Sequence, residues 1–122
     1  MHSTQDDRTS RAIIRDETLR LFAAHGADAV TVRQIAAAAH VSPALVVRHY
    51  GSKDGLREAV DTHVLQTLAD MLIDITQRHG TPGVATSLAD ALLQSLPPDS
   101  PIPRYLARLF VEGGEAARTM FR

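Results

Sequence analysis

Thr31 and Ser42 stand eleven residues apart in TVRQIAAAAHVSPALVVRHYGSK, each a hydroxyl residue where a helix can begin. Gln34 follows Thr31 by three residues, which makes a capping box, and Val30 and Ile35 bracket it as a hydrophobic staple. Ser42 is followed by Pro43, whose missing N–H costs nothing at the first helical position. Val41 and Val46 repeat the staple there. Only one short helix fits between the two caps, with Val32, Ile35, Ala36 and Ala39 along one face. His40 and Val41 leave room for a tight turn alone. Two short helices so joined, with a third packed behind, make a helix-turn-helix.

The packing helix is RAIIRDETLRLFAAHG, where Ile14, Thr18, Leu21 and Phe22 recur at helical spacing and Gly26 supplies a stop. Residues 1–10 read as a flexible arm before it. Gly51 ends the third helix, and Ser52 caps a fourth through Leu56, Val60, Val64, Met71 and Ile75 to Gly80. A fifth opens at Thr81-Pro82-Gly83 with Val84, Leu88, Leu92 and Leu96, and the proline-rich PPDSPIP closes it. A sixth carries Tyr105, Leu106, Leu109, Phe110 and Met120, with an interruption expected at Gly113-Gly114. The fold class is all-α. The end at Met120-Phe121-Arg122, with neither cap nor polar tail, is expected to be the edge of a longer domain.

Net charge is −1, which by itself points to no polyanion, but its distribution is uneven. No carboxylate occurs between Asp28 and Asp54, while Arg33, Arg48 and Lys53, the only lysine, fall there with His40 and His49. Such a window suits a surface that faces an anion. The chain has no cysteine, so disulfide and thiolate chemistry are excluded. No stretch approaches the roughly 18 apolar residues of a membrane span, and the start is no secretory signal, so a cytoplasmic location and no membrane partner are expected.

The stretch TVRQIAAAAHVSPALVVRHYGSKDGL, with Phe22 and Gly26 before it, resembles the DNA-binding head of the tetracycline-repressor (TetR) family of bacterial transcription regulators. Thr31, Ile35-Ala36, Val41-Ser42, His49-Tyr50, Ser52-Lys53-Asp54 and Leu56 carry the likeness. It implies a homeodomain-like head over residues 11–57, with the motif at about 31–50. Residues 58–122 follow as a connecting helix and part of a regulatory domain. Family members are homodimers that bind palindromic double-stranded DNA and respond to a small-molecule effector. The dimer interface is expected beyond residue 122, and no cofactor is expected.

The same resemblance assigns site residues. The third helix enters the major groove, with Ser42, Pro43 and Ala44 nearest the bases. Arg33 suits guanine O6 and N7. Thr31, His49 and Lys53 match phosphate contacts. Arg48 holds a variable position that faces DNA. Val47 stands where many members have a phosphate-binding tyrosine; valine offers a thymine methyl or a sugar an apolar contact instead. Tyr50, where phenylalanine is common, is expected to face the core, and Gly51, in place of a frequent proline, to change little. Met71, Leu92, Leu106 and Phe110 are candidates for the effector cavity.

Each residue also has a plainer role. Arg33 and Lys53 suit a solvated surface, His49 a half-buried structural position, and the leucines and methionines a core. His25, His40, His63 and His79 have no metal-ligand spacing. Neither a nucleophile elbow nor a glycine-rich phosphate loop is present, so an enzyme is not expected. The alternative reading is a helical interaction module that kept the fold and lost DNA binding, which the valine at position 47 alone favours.

Overall fold

Thr31 closes its capping box in full. Its Oγ1 accepts from the Gln34 N–H at 3.1 Å, and its own N–H donates to Gln34 Oε1 at 2.9 Å. From that start runs the helix Val32–Ala39, and from Ser42, whose Oγ accepts the Leu45 N–H at 3.1 Å, the helix Pro43–Tyr50. The computed structural model describes residues 4–79 and 85–120, and the side chains of residues 8–78 and 90–112. Among these lie six α-helices: α1 (Thr4–His25), α2 (Val32–Ala39), α3 (Pro43–Tyr50), α4 (Lys53–His79), α5 (Ala85–Ser95) and α6 (Ile102–Met120). A single 3₁₀ turn, Ala27–Ala29, joins α1 to α2. No strand occurs among the described residues.

α1 starts earlier than expected. The stretch read as a flexible arm is helical from Thr4, because no glycine or proline interrupts Thr4–His25 and extending an existing helix avoids the cost of a new nucleus. α6 likewise runs through Gly113-Gly114 without a break. Glycine weakens a helix by about 1 kcal/mol per residue but does not forbid it. Gly80, Gly83, Val84 and Phe121 lie outside the described residues, as do the side chains of Leu88 and Met120.

By packing, the chain divides into two units, one of residues 1–60 with 101–122 and the other of residues 61–100. In the first, Ile14, Thr18 and Phe22 of α1 are buried with Val30, Ile35, Ala36, Ala39, Val46, Leu56 and Val60, so both staple pairs close on the core except for a half-exposed Val41. Thr18 keeps its hydroxyl satisfied by donating to the Ile14 carbonyl at 2.7 Å. Leu19 and Ala23, about 140–180° round the helix from Ile14, form a second buried face. α6 packs on α1 and contributes Ile102 and Tyr105 to the core. That placement differs from the expected division at residue 57, which left the sixth helix outside the head.

The junction between these helices has a specific chemistry. The Phe22 carbonyl accepts the Gly26 N–H at 2.8 Å, and the next two carbonyls, of Ala23 and Ala24, accept Arg108 Nε and Nη2 at 2.8 Å each. A cation thus takes the orphan acceptors at the negative end of α1. Gly26 has φ 84° and ψ 149°, a conformation essentially reserved for glycine. Nearby, Arg57 on α4 pairs with Glu112 on α6 at 3.5 Å.

The second unit holds the later turns of α4 and the whole of α5. Val64 and Ile75 are buried, whereas Leu65, Ile73 and Leu93 are exposed. α5 ends at Ser95, ahead of Pro97-Pro98 as the prolines require. Within this unit, Asp74, Ile75, Arg78, Ala91, Gln94 and Ser95 line a cleft of about 250 Å³.

Candidate nucleic-acid interface

The turn between α2 and α3 fixes how α3 is presented. His40 adopts φ 59° and ψ 41°, the left-handed conformation. Its N–H bonds the Ala37 carbonyl at 3.2 Å, and the Val41 N–H reaches back to Ala36 at 3.0 Å. These two bonds form a Schellman closure, a position glycine usually fills. His40 is the one described non-glycine residue with positive φ. At the far end of α3, Gly51 has φ 81° and ψ −59°, while the Ser52 N–H bonds the Tyr50 carbonyl at 3.0 Å. That is a γ-turn of the left-handed kind. Proline, fixed near −65°, cannot adopt it, so Gly51 is a requirement here rather than a neutral exchange.

α3 therefore stands between two sharp turns with one side buried and one side open. Val46 is buried and Leu45 half-buried, whereas Ser42, Pro43, Ala44, Val47 and Arg48 are exposed. Arg33 and Thr31 on the α2 side are exposed as well, and Lys53 opens α4 half-buried. The described ion pairs use Arg15, Arg20, Arg57 and Arg78, so none of them engages Arg33, Arg48 or Lys53. Thr31 and Ser42 spend an oxygen lone pair on their caps, and each hydroxyl proton remains available to an external acceptor.

For His49 both a phosphate contact and a half-buried structural position are expected. It is half-buried, and its Nε2 is sealed from solvent without a hydrogen-bond partner. A phosphate contact through Nε2 requires the side chain to turn outward. Tyr50 faces inward as expected, but not as a plain core ring. Its Oη donates to the Arg11 carbonyl at 2.6 Å, and the Arg11 guanidinium lies 5.1 Å from the ring centroid. Burial raises the Tyr50 phenol above its ordinary pKa, while Arg11 and Arg15 pull it down. Nothing in the local sequence signals this link, since its partners are 39 residues apart.

The four candidates for an effector cavity are divided between the two units. Met71 and Leu92 belong to the second unit, Leu106 and Phe110 to the first, and none lines either cleft described here. Phe110 is 85% exposed, being about 140° round α6 from Tyr105, which packs inward. Within the first unit a cleft of about 480 Å³ is lined by Ala24, Arg104, Ala107, Arg108, Val111 and Glu112. No cluster of metal-binding side chains occurs among the described residues, and no described helix is long and apolar enough to cross a membrane.

Residues 14–60 match the bacterial regulatory proteins of the tetR family. The chain is similar to the HTH-type transcriptional regulatory protein RaaS of Mycobacterium tuberculosis, at 34% identity over 116 residues covering 95% of this chain and 52% of that protein. It is 36% identical over 103 residues to the HTH-type transcriptional repressor Rv3405c of the same organism, covering 77% of this chain and 52% of the relative. Against the HTH-type transcriptional regulator BetI of Burkholderia thailandensis, identity is 40% over 58 residues, covering 48% of this chain and 30% of that one. The chain thus spans about half the length of the first two relatives.

Proposed function

The chain belongs to the tetR family of bacterial regulatory proteins through residues 14–60, and from that premise we propose that it is the DNA-binding part of a transcriptional regulator, acting as a repressor. One observation carries the reading. The open face of α3 lies in a segment without a single carboxylate, flanked by Arg33, Arg48 and Lys53, and none of these cations is taken by a described ion pair.

α3 lies in the major groove with the residues after Ser42 at the base edges. Arg33 approaches from α2, while Thr31 and Lys53 hold phosphates on either side. His49 joins them once its ring swings out. Repression is supported by the naming of one relative as a repressor. In the whole protein, two such heads on a homodimer read a palindrome, and a small molecule bound outside the head alters their spacing. The relatives are named as regulators, which accords with a non-enzymatic role.

A gel-shift assay on random genomic fragments tests the reading. The chain should retard DNA, and Arg33→Gln with Lys53→Gln together should abolish the shift. A folded chain that retards no fragment at low salt would overturn it.

A further inference from the structure

The open face of α3 has an unusual chemistry for a helix that reads bases. Of its exposed residues, Ser42 lies at one end with its oxygen engaged by the Leu45 N–H, and Arg48 lies at the other. Between them are Pro43, Ala44 and Val47, which present only C–H groups. Val47 is 47% exposed although it is a β-branched apolar residue. The helix PALVVRHY contains no Asn, Gln, Asp, Glu, Ser or Thr. It therefore lacks the amides that read adenine and the carboxylates that read cytosine.

Base pairs offer one apolar group in the major groove, the C5-methyl of thymine. Resting on the DNA-binding reading above, we infer that this helix specifies its half-site through thymine methyl groups, with Ala44 and Val47 as the contacting residues. Ala44 and Val47 are about 4.5 Å apart along the helix axis, at about 1.5 Å per residue. Base steps rise about 3.4 Å along each strand. The two contacts thus fall on adjacent or next-adjacent steps. Hydrogen-bonded discrimination is left to Arg33 and Arg48 at the margins of the apolar strip. Ser42 adds one hydroxyl.

The test begins with selection of duplexes by the chain from a random pool. A recovered duplex is then resynthesised with deoxyuridine replacing thymidine one position at a time, which removes the methyl and nothing else. Affinity should fall about fourfold at one or two positions in the half-site, the transfer value of one buried methyl. V47A, checked for its fold by circular dichroism, should bring the loss at one of those positions to within twofold. A selected duplex indifferent to uracil throughout would overturn the inference and leave DNA binding intact. Thymine sensitivity unchanged in V47A would overturn the assignment to this strip. Salt-sensitive binding with no sequence enriched would also overturn it, and no binding at all would remove the underlying reading with it.

Discussion

Tyr50 at the end of α3 donates its hydroxyl proton to the backbone carbonyl of Arg11 in α1, and the Arg11 side chain folds back over the same ring. One aromatic residue thereby ties the C-terminal end of α3 to α1. Tyr50→Phe removes the bond and keeps the ring. The Arg11 carbonyl retains its helical partner, so the loss should be the net worth of one hydrogen bond, about 0.5–1.5 kcal/mol. Urea unfolding should show a lower midpoint with an unchanged slope.

The same residue gives an alkaline signature. Burial makes the Tyr50 phenol harder to ionise in the fold than in the open chain, where its ordinary value is 10.0. A pKa raised by folding contributes stability that is complete below the unfolded value and is lost as pH rises through the folded one. Stability should therefore decline above about pH 10. The decline should be shallower in Tyr50→Phe, and the difference between the two chains isolates this phenol from Tyr105.

The two turns around α3 should answer substitution in opposite directions. His40 bears the cost of a left-handed conformation that glycine adopts freely, so His40→Gly should raise stability by about 0.5–1 kcal/mol. Gly51 has open space where a Cβ would go, and only its backbone angle opposes a side chain. Gly51→Ala should cost about 1–2 kcal/mol. Thermal melts of the two single variants settle both signs.

At the end of α1, Arg108→Lys retains the charge and loses the fork that reaches two carbonyls at once. The expected loss is about 1 kcal/mol, one hydrogen bond's net contribution. Gly26→Ala should cost more, about 1–3 kcal/mol. Its Cβ would meet Arg108 Nη1 at 3.3 Å, on top of the strained φ. Chemical denaturation of both variants should preserve that order.

Phosphate contacts leave a measurable trace in salt dependence. Lys53→Gln should lower the slope of log affinity against log salt by about 0.9 for each phosphate it holds. Fluorescence anisotropy with one mixed-sequence duplex suffices, because this contribution does not depend on sequence. A slope unchanged in Lys53→Gln would remove this residue from the backbone contact.

The motif was legible because its signals are local. Thr31 and Gln34 are one helical turn apart, and Ser42 needs only Pro43 beside it to declare a start. A cap is a bond between near neighbours, and sequence spacing reports it directly. Tyr50 with Arg11 and Arg108 with Ala23 leave no local signal, because tertiary packing alone brings them together. The spacing predicts a tight turn at His40, but histidine gives no hint of a left-handed backbone, since glycine or asparagine marks that state. Phe110 is apolar and exposed, because hydrophobicity reports a preference for burial and not the face of a helix. The ring orientation of His49 is likewise something that residue type does not encode.

The bond from Arg108 to the Ala23 carbonyl spans 85 residues of chain, whereas the helices of the motif follow one another closely in sequence. Closing a long loop has to precede any gain from the contact it permits. Folding should then be ordered in time. α1, α2 and α3 can assemble from their neighbours while α6 is still unattached, during synthesis as well as in refolding. Until α6 arrives, the last turn of α1 has two carbonyls open to water and frays. The end of the first helix is therefore among the last parts of the head to become rigid.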